Sequence, residues 1–530
     1  MLHDKSVKTL FAEYLKTPEA RLLQSDFQLE NAPELLLLME KSPDPGHFLE
    51  LVMDHCSKNK RKDEGTFYTP NLVAEKMFRR ALKVFRKNDP SAESLLDIKV
   101  LDPACGSGEF ILAALKVLLE EFRKLQPDIP VNTIAERIIK HNLYGIDCNA
   151  DAIKLLGSRL KIYGNSGGNF IVKDVLEYSN AAACFQKDIK FDLVIGNPPY
   201  VSYGLRNVGK LDKFRSVELR KRFPFSAEYK ITLYALFIEF ALNSTVQNGV
   251  HSFIVPDSFL CGQYFTKLRN FMLKNSSLEC FYLVKQKLFQ AMPGSLVIYI
   301  VSKNFPAEGH TFQTFLLDEK SCFDLPESGY NMLQSSLSEN HRQRFRLFFD
   351  RRVHKRITQM EKESVCKLGD LLEISSGLIA KHGKSSIIAD HAAGSQWKSG
   401  LVSGKEITTD GKINSLGNYI NADPAMIKSG LKKIDYSQPK LLIRQTGDRI
   451  ISAVDRHGLL VLNNIHVGTA KNPFLDLERL SKYLNSEEIR FYYQATTLEA
   501  HRPMAQIDLE TLRDLPVKER FCIKKAEEII

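Results

Sequence analysis

The chain has 530 residues, of which 44% are hydrophobic and 26% charged, a globular composition that excludes a disordered or collagen-like protein. Lys and Arg number 73 against 63 Asp and Glu, and the net charge of +10 is only a weak indication of a polyanionic partner. The nine cysteines form no CxxC pair, and the richest apolar run, Ile231 to Leu242, is too short to span a bilayer. The first thirty residues carry charged side chains throughout, so we expect no signal peptide among them. We therefore expect a soluble, reduced, cytoplasmic protein of about three domains, with no membrane partner and no metal site.

The chain begins with apolar residues at helical spacing, over Val7 to Leu15 and Pro33 to Cys56, so residues 1–60 are predicted to form a helical arm. Strands then alternate with helices over residues 61–305. The first predicted strands are Lys99 to Leu101, Leu143 to Ile146, Phe170 to Val172 and Phe191 to Ile195. This alternation predicts an α/β domain with a mostly parallel sheet and helices on both faces.

The second half of this region continues with a helix from Tyr229 to Val246 and a strand from Val250 to Val255. A helix around Phe265 to Leu273 and strands at Leu278 to Val284 and Leu296 to Val301 complete it. The alternation is lost over residues 306–350, which we interpret as a basic connector. Short strands rich in Gly and Ser follow, so residues 351–530 are predicted to be a second domain of mixed α+β character.

Polar motifs follow the first predicted strands, at the edge where open α/β sheets bind ligands. The small residues of Leu101-Asp-Pro-Ala-Cys-Gly-Ser-Gly-Glu-Phe110 allow a ligand to approach the backbone, and the next helix offers free N–H groups. Asp147 and Asp174 end the next two strands. A carboxylate there can accept hydrogen bonds from ribose hydroxyls, although a lone Asp at a strand end is more often a helix cap. Neither a GxGxxG fingerprint nor a P-loop is present.

The motif Ile195-Gly-Asn-Pro-Pro-Tyr200 follows the fourth strand and is the most specific of the set. Two prolines fix the backbone, which leaves the Asn197 carboxamide and the Pro198 carbonyl as rigid acceptors. Two acceptors suit a planar NH2 group, because accepting both hydrogens makes its nitrogen more tetrahedral and exposes the lone pair. The ring of Tyr200 offers a flat face to the ring that carries the amine.

In this order, the motifs resemble those of the gamma-class, or TaqI-like, N6-adenine DNA methyltransferases over about residues 61–303. The resemblance implies a methyltransferase (Rossmann-like) sheet and S-adenosyl-L-methionine as cofactor. It also extends to Gly65-Thr-Phe-Tyr-Thr-Pro70, the upstream motif of that class. The implied cofactor-binding residues are Thr69, Asp102 and the backbone from Ala104 to Gly106 at the methionine end, Asp147 at the ribose, and Asp174 and Pro199 at the adenine.

By the same resemblance, Asn197, Pro198 and Tyr200 form the catalytic loop. The segment from Lys287 to Val297 resembles the one that supplies a second aromatic residue, for which Phe289 is the candidate and Phe281 the reserve. A sulfonium is already a strong electrophile, so positioning does most of the work and no covalent nucleophile is needed. Cys105 is therefore not expected to take part in catalysis.

Residues 351–530 resemble, more loosely, the target-recognition domain of the same class, and we predict that they bind DNA. Base-contact candidates there are Trp397, Lys398, Lys405, Arg444, Arg449 and His466, each of which is individually more often structural or phosphate-binding. A basic cluster beside the catalytic loop comprises Arg206, Lys210, Lys213, Arg215, Arg220, Lys221 and Arg222. A second cluster runs from Arg342 to Arg356. Alone, each cluster would be a solvated face; with the resemblance, both are predicted DNA contacts.

The predicted function is site-specific methyl transfer to N6 of a flipped-out adenine in double-stranded DNA. We expect a monomer that is either the modification part of a restriction-modification system, with a restriction endonuclease on another chain, or an orphan enzyme. Several alternatives use the same Asn-Pro-Pro-Tyr loop: a protein-glutamine methyltransferase, an RNA adenine methyltransferase and an N4-cytosine methyltransferase. A non-catalytic DNA-binding specificity subunit is the alternative from a different functional class.

Overall fold

The computed structural model describes residues 69–164, 168–203, 211–285, 294–318, 325–499 and 505–521. The chain divides into two compact units, Met1–Phe345 and Arg346–Ile530. The predicted N-terminal arm lies outside the described residues, as do Phe289, Arg206 and Lys210. Within the described ranges, no helix has the length and apolar character needed to cross a membrane.

The first unit is built on one nine-stranded sheet, as far as its described residues show. Its strands are β1 (Val100–Asp102), β2 (Leu143–Asp147), β3 (Asn169–Val172), β4 (Phe191–Gly196), β5 (Thr245–Pro256), β6 (Ser277–Val284), β7 (Leu296–Ser302), β8 (Thr311–Leu317) and β9 (Tyr330–Leu333). The order across the sheet is β3-β2-β1-β4-β5-β7-β6-β8-β9. The pairs from β3 through β5 are parallel, whereas β7 is antiparallel to both of its neighbours, β5 and β6.

The parallel register places the carboxyl ends of β1 to β4 at one edge, because Asp102 pairs with Gly145 and Leu101 with Val194. The chain order reverses at β1, since β2 and β3 lie on one side of it and β4 on the other. Such a switch point opens a crevice above the strand ends, which is where ligands bind in open α/β sheets. The topology alone therefore locates the candidate site.

Among the described residues of this unit, the helices are α1 (Asn71–Asn88), α2 (Ala92–Asp97), α3 (Glu109–Leu125), α4 (Val131–Arg137), α5 (Ala150–Leu160), α6 (Ala181–Phe185), α7 (Lys213–Arg222), α8 (Leu233–Ser244), α9 (Ser258–Cys261), α10 (Thr266–Asn275) and α11 (Ser335–Glu339). In α3, Ile111, Leu115, Leu118 and Phe122 recur at helical spacing and are buried. Helix α8 is buried on nearly all sides, which agrees with its almost continuous apolar sequence. These buried faces fix the helices on the sheet.

The predicted basic connector, residues 306–350, is corrected by the structure. Strands β8 and β9 fall inside it and extend the large sheet, with β8 parallel to β6 and β9 antiparallel to β8. The boundary between the units lies at Phe345. The stretch loses helix–strand alternation because β9 pairs antiparallel with β8 at the edge of the sheet, so the βαβ pattern ends before the sheet does.

The second unit, whose helices and sheets agree with the mixed α+β prediction, contains helices α12 (Arg351–Lys362), α13 (Leu368–Leu371), α14 (Leu477–Leu484), α15 (Glu487–Thr497) and α16 (Leu509–Arg513). Its strands are β10 (Ser364–Lys367), β11 (Leu372–Ser376), β12 (Ile379–Ala380), β13 (Ile388–Ala389), β14 (Trp397–Leu401), β15 (Tyr419–Asn421), β16 (Ile427–Ser429), β17 (Lys440–Arg444), β18 (Ser452–Asp455), β19 (Leu460–Val461), β20 (Ile465–Ala470) and β21 (Pro516–Lys518). In its described part, four strands pair as β11-β20-β17-β18 and four others as β13-β15-β14-β19. Their inward residues, such as Leu401, Ile420 and Val461, form a separate apolar core.

Candidate active site

A cavity of about 330 Å³ lies in the first unit, at the carboxyl ends of β1, β2, β3 and β4. Predicted site residues that line it are Ala104, Gly106, Asp147, Asp174, Asn197 and Pro199. They come from segments far apart in the sequence and meet because parallel strands end at the same edge. The structure therefore brings most of the predicted cofactor-binding residues to one place.

The glycine-rich turn after β1 brings backbone, rather than side chains, to the cavity. Gly106 has φ +50°, a left-handed conformation that favours glycine, and a Cβ atom there would meet nothing within 4 Å. It points into open space, so a ligand can approach the peptide closely at this position. Any other residue would be strained and would occupy that space.

Asp102 is not among the residues that line the cavity, and its role at the cofactor stays a prediction. Its side chain is 1% exposed, and its Oδ1 accepts a hydrogen bond from Ala104 N at 3.0 Å. Burial raises the pKa of Asp102 to about 8, and the nearby charge of Asp147 adds to the increase. A Cβ atom on Gly196 would lie 2.6 Å from Asp102 Oδ1, so a glycine there lets the end of β4 pass the carboxyl.

A buried ion pair also holds the turn from behind. Arg159 of α5 pairs with Glu109, the first residue of α3, and its Nη1 donates to the carbonyl of Ser107 at 2.9 Å. Both side chains are less than a tenth exposed. The pair fixes the start of α3 relative to α5, and with it the loop that faces the cavity.

Asp147 ends β2 with both carboxylate oxygens bound to backbone donors. Its Oδ2 accepts from Gly106 N at 2.9 Å and its Oδ1 from Asn149 N at 2.8 Å. These bonds fix the orientation of the carboxylate. A rigid carboxylate on the cavity wall is suited to accept hydrogen bonds from a pair of neighbouring hydroxyls.

Asp174 accepts two hydrogen bonds, one from backbone and one from an arginine side chain. Its Oδ1 caps a short 3-10 turn by accepting from Leu176 N at 2.9 Å, which is the helix-cap alternative noted for such residues. Its Oδ2 accepts from Arg215 Nη2 at 3.0 Å. Arg215 was predicted to contact DNA, but in the structure it pairs with a carboxylate of the cavity.

The catalytic loop predicted after β4 is held by bonds at both ends. Asn197 donates from Nδ2 to Thr69 Oγ1 at 3.0 Å, and Tyr200 donates its hydroxyl hydrogen to the Ile254 carbonyl at 3.0 Å. Thr69 is 3% exposed and is not among the residues that line the cavity, so its contact in the structure is with Asn197. Burial raises the pKa of Tyr200 well above its usual range, which keeps the phenol neutral. The loop is therefore preorganised, with Pro198 buried beneath it.

The reserve candidate for a second aromatic, Phe281, is wrong. Its side chain is fully buried in β6, against Tyr299 and Phe312. An inward-facing core residue of this kind cannot stack on an incoming base. The first candidate, Phe289, lies outside the described residues.

Several cavity residues were not predicted from the sequence. They are Pro103, Cys148, Asn149, Ala152, Lys173, Val175, Leu176, Val201, Tyr203, Leu233 and Phe237. Most of them are immediate neighbours of the motifs, and adjacency alone could have indicated Lys173, Val175 and Val201. Leu233 and Phe237 lie one turn apart on α8, and only the packing of α8 beside the sheet shows that this helix forms a wall.

The basic cluster beside the loop divides into internal and exposed residues. Arg220 donates to the carbonyls of Ala227 and Tyr229, and Arg222 donates to the carbonyl of Leu176. Together with Arg215, these arginines hydrogen-bond to protein backbone or to a carboxylate, and their contact with DNA stays a prediction. Lys213 and Lys221 are exposed and form no ion pair within the described part of the chain.

The candidates in the second unit also divide in this way. Arg444 donates through Nε to the Ile407 carbonyl at 2.7 Å, and this bond holds the short turn that precedes Ile407. His466 is 1% exposed, its Nε2 lies 2.8 Å from the Ile507 carbonyl oxygen, and burial lowers its pKa. Both therefore have structural contacts, and His466 is too deeply buried to reach a base. Lys398 and Lys405 are exposed, whereas Trp397 and Arg449 are partly exposed, so these four remain accessible candidates.

Comparison with known families gives two matches. The profile of the N-6 DNA methylase family matches residues 42–385, and that of the TaqI-like C-terminal specificity domain matches residues 400–517. The first match contains the whole cavity described above. The second lies within the second unit.

Curated relatives include the type II methyltransferase M.BanIII of Aneurinibacillus aneurinilyticus, 26% identical over 240 residues, which are 43% of this chain and 37% of that protein. Modification methylase CviBIII of Paramecium bursaria Chlorella virus NC1A is 22% identical over 283 residues, 53% of this chain and 59% of the relative. The chain thus spans less than two thirds of the length of these relatives. Among solved structures, a nuclease-deletion mutant of the Type ISP restriction-modification enzyme LlaGI, in complex with a DNA substrate mimic, has a TM-score of 0.60 at 14% identity. That likeness covers 96% of this chain and 51% of the other, and it concerns the fold.

Proposed function

Because the chain belongs to the N-6 DNA methylase family, we propose that it transfers a methyl group from S-adenosyl-L-methionine to the N6 amino group of an adenine in duplex DNA. The observation that carries the proposal is the preorganised Asn197-Pro-Pro-Tyr200 loop at the wall of the cavity. Such a loop is suited to one task, which is to hold a planar amine by two fixed acceptors.

The residues of the cavity fit the proposed cofactor. Asp147 offers a fixed carboxylate for ribose hydroxyls, and the open space at Gly106 allows close approach to the backbone. The apolar side chains of Leu176, Pro199 and Phe237 provide walls for an aromatic ring. When bound, S-adenosyl-L-methionine supplies a methyl group on a positively charged sulfur, which makes that methyl an electrophile.

The protein's own contribution is to position the amine. Asn197 Oδ1 and the Pro198 carbonyl would each accept one amine hydrogen, which draws the nitrogen lone pair out of conjugation with the ring. The bond from Asn197 Nδ2 to Thr69 Oγ1 sets the orientation of the carboxamide in advance, so little reorganisation is needed when substrate arrives. Tyr200, with its hydroxyl fixed on Ile254, would present its ring to the base.

The adenine must leave the duplex to reach this loop, so we propose that the enzyme flips it out, at a cost of a few kcal/mol. Stacking on Tyr200 would offset that cost by about 1–3 kcal/mol. We further propose that the second unit recognises the target sequence, which the TaqI-like specificity match supports. The names of the relatives support a modification role in a restriction-modification system.

Transfer of labelled methyl groups into unmethylated duplex DNA by the wild type and N197A tests the proposal. We expect N197A to bind S-adenosyl-L-methionine as the wild type does, since the ribose and adenine contacts remain, and to lose most of its turnover. N180A is a suitable control, because Asn180 caps a short helix and is not among the residues that line the cavity. Undiminished turnover in N197A would refute the role of the loop. Label in RNA or protein glutamine, but not in DNA, would refute the proposed substrate.

A further inference from the structure

Helix α7, Lys213–Arg222, has two faces with different partners. Arg215, Leu219 and Arg222 follow one another at helical spacing and face the protein. Arg215 pairs with Asp174, Leu219 is 1% exposed, and Arg222 donates to the carbonyl of Leu176. Because Asp174 and Leu176 line the cavity, these contacts fix α7 beside the candidate active site.

The opposite face of α7 carries exposed apolar side chains among charged ones. Phe214 is 75% exposed and Val217 is 65% exposed, three residues further along. Phe225 and Tyr229 follow the helix and are 40% and 74% exposed, with their rings stacked on Phe271 and Tyr264. Large exposed apolar side chains collected over so few residues are typical of an interaction surface rather than of a solvated face.

The charge of the same surface indicates its partner. Lys213 and Lys221 lie next to the apolar residues and are exposed, and within the described residues neither has an ion-pair partner. Aromatic side chains set among unpaired cations fit nucleic acid, in which phosphates surround stacked bases. We propose that the outer face of α7 packs against duplex DNA beside the target adenine, with Phe214 as an apolar wedge that stabilises the opened duplex. This inference rests on the proposed function.

The wedge has a physical purpose in this reaction. When a base leaves the stack, its neighbours lose a stacking partner, and DNA-binding proteins that unstack base steps commonly insert Phe, Leu, Ile or Met there. The arginines of the inner face fix the helix on the protein, so Phe214 meets the DNA from a rigid support. Phe214 would thus act on the opening of the DNA rather than on the cofactor.

The test compares F214A with F305A, because Phe305 is equally exposed, at 77%, but lies in the loop after β7, away from α7. DNA affinity is measured by fluorescence anisotropy on a labelled duplex. kcat/KM is measured on a duplex with a matched target adenine and on one with the adenine in a mismatch. We expect F214A to lose about tenfold in affinity and in kcat/KM on the matched duplex, as for one lost stacking contact. The loss in kcat/KM should shrink on the mismatch, where flipping costs less.

F214W should restore the matched-duplex values, and the dissociation constant for S-adenosyl-L-methionine should stay unchanged in every variant. Equal behaviour of F214A and F305A would overturn the inference, as would an equal loss on the matched and mismatched duplexes. A change in oligomeric state in F214A without a change in DNA affinity would assign this face to a second copy of the chain. The anisotropy measurement needs no turnover, so a wild type that binds DNA but methylates no adenine would refute the proposed function while still testing the wedge.

Discussion

Replacing Asp147 by Asn should weaken the binding of S-adenosyl-L-methionine more than an amide replacement of a carboxylate usually does. Both oxygens of Asp147 accept backbone N–H bonds, from Gly106 at 2.9 Å and from Asn149 at 2.8 Å. An amide has one acceptor and one donor, so either orientation turns its NH2 group toward a backbone N–H. The variant therefore loses one of these bonds as well as the charge.

The expected increase in the dissociation constant for S-adenosyl-L-methionine follows from these contacts. A hydrogen bond to a charged group contributes about 1.5–3 kcal/mol, and each 1.4 kcal/mol changes a dissociation constant tenfold. Loss of one charged bond to the ribose would raise the dissociation constant by roughly 10- to 150-fold. The displaced Gly106 backbone should bring the result toward the upper end of that range.

Isothermal titration calorimetry on D147N measures this directly, with D151N as the matched control. Asp151 is exposed in the first turn of α5, four residues further along, and is not among the residues that line the cavity. We expect D151N to bind like the wild type. If D147N and D151N gave the same dissociation constant, Asp147 would have no role at the cofactor and the reasoning from its geometry would be refuted.

Three further predictions concern the framework of the site. The pKa of Asp102 is about 8, above its ordinary value of 3.8, so between these values the native state holds a proton that the unfolded chain has released. The melting temperature should therefore fall as the pH rises from 5 to 8, and it should fall less in D102N. R159Q leaves Glu109 buried without its cation and should lower the free energy of unfolding by about 3–5 kcal/mol in urea denaturation. R490Q removes a more exposed ion pair and should lower it by under about 1 kcal/mol. Equal losses would contradict the structural role of the Arg159–Glu109 pair. R215Q removes the cation that orients the Asp174 carboxylate at the cavity and should raise the dissociation constant for the cofactor about two- to fivefold in calorimetry; an unchanged dissociation constant would contradict that positioning role.

The sheet was largely predictable because its parallel strands are short, apolar and separated by helices. Leu143–Asp147 and Phe191–Gly196 each end at a polar motif, and that pattern indicated both the strands and the edge at which ligands bind. Prediction stopped at β8 and β9, where an edge of the sheet is built without crossover helices. The spacing of apolar residues indicates which face of a single helix or strand is buried. It does not indicate that the later strands β8 and β9 join the same sheet.

The site was predictable in its backbone-linked residues and less so in its arginines. Motifs identified Asp147 and Asn197 because each follows a strand directly, so its place is fixed by the fold. Arg215, Arg220 and Arg222 were predicted to contact DNA from their charge density together with the family resemblance. A long cationic side chain can turn inward to a carboxylate or carbonyl, and only coordinates distinguish these directions. Buried His466 illustrates the same limit in the second unit.

Nucleoside mass spectrometry shows directly which base, if any, the protein methylates. Purified protein is incubated with labelled S-adenosyl-L-methionine and unmethylated genomic DNA, which is then digested to nucleosides and, in parallel, mapped by single-molecule sequencing. The proposed reaction predicts labelled N6-methyladenine at one short recurring sequence, and far less of it with N197A. Labelled N4-methylcytosine, or no methylated base despite tight cofactor binding, would contradict it.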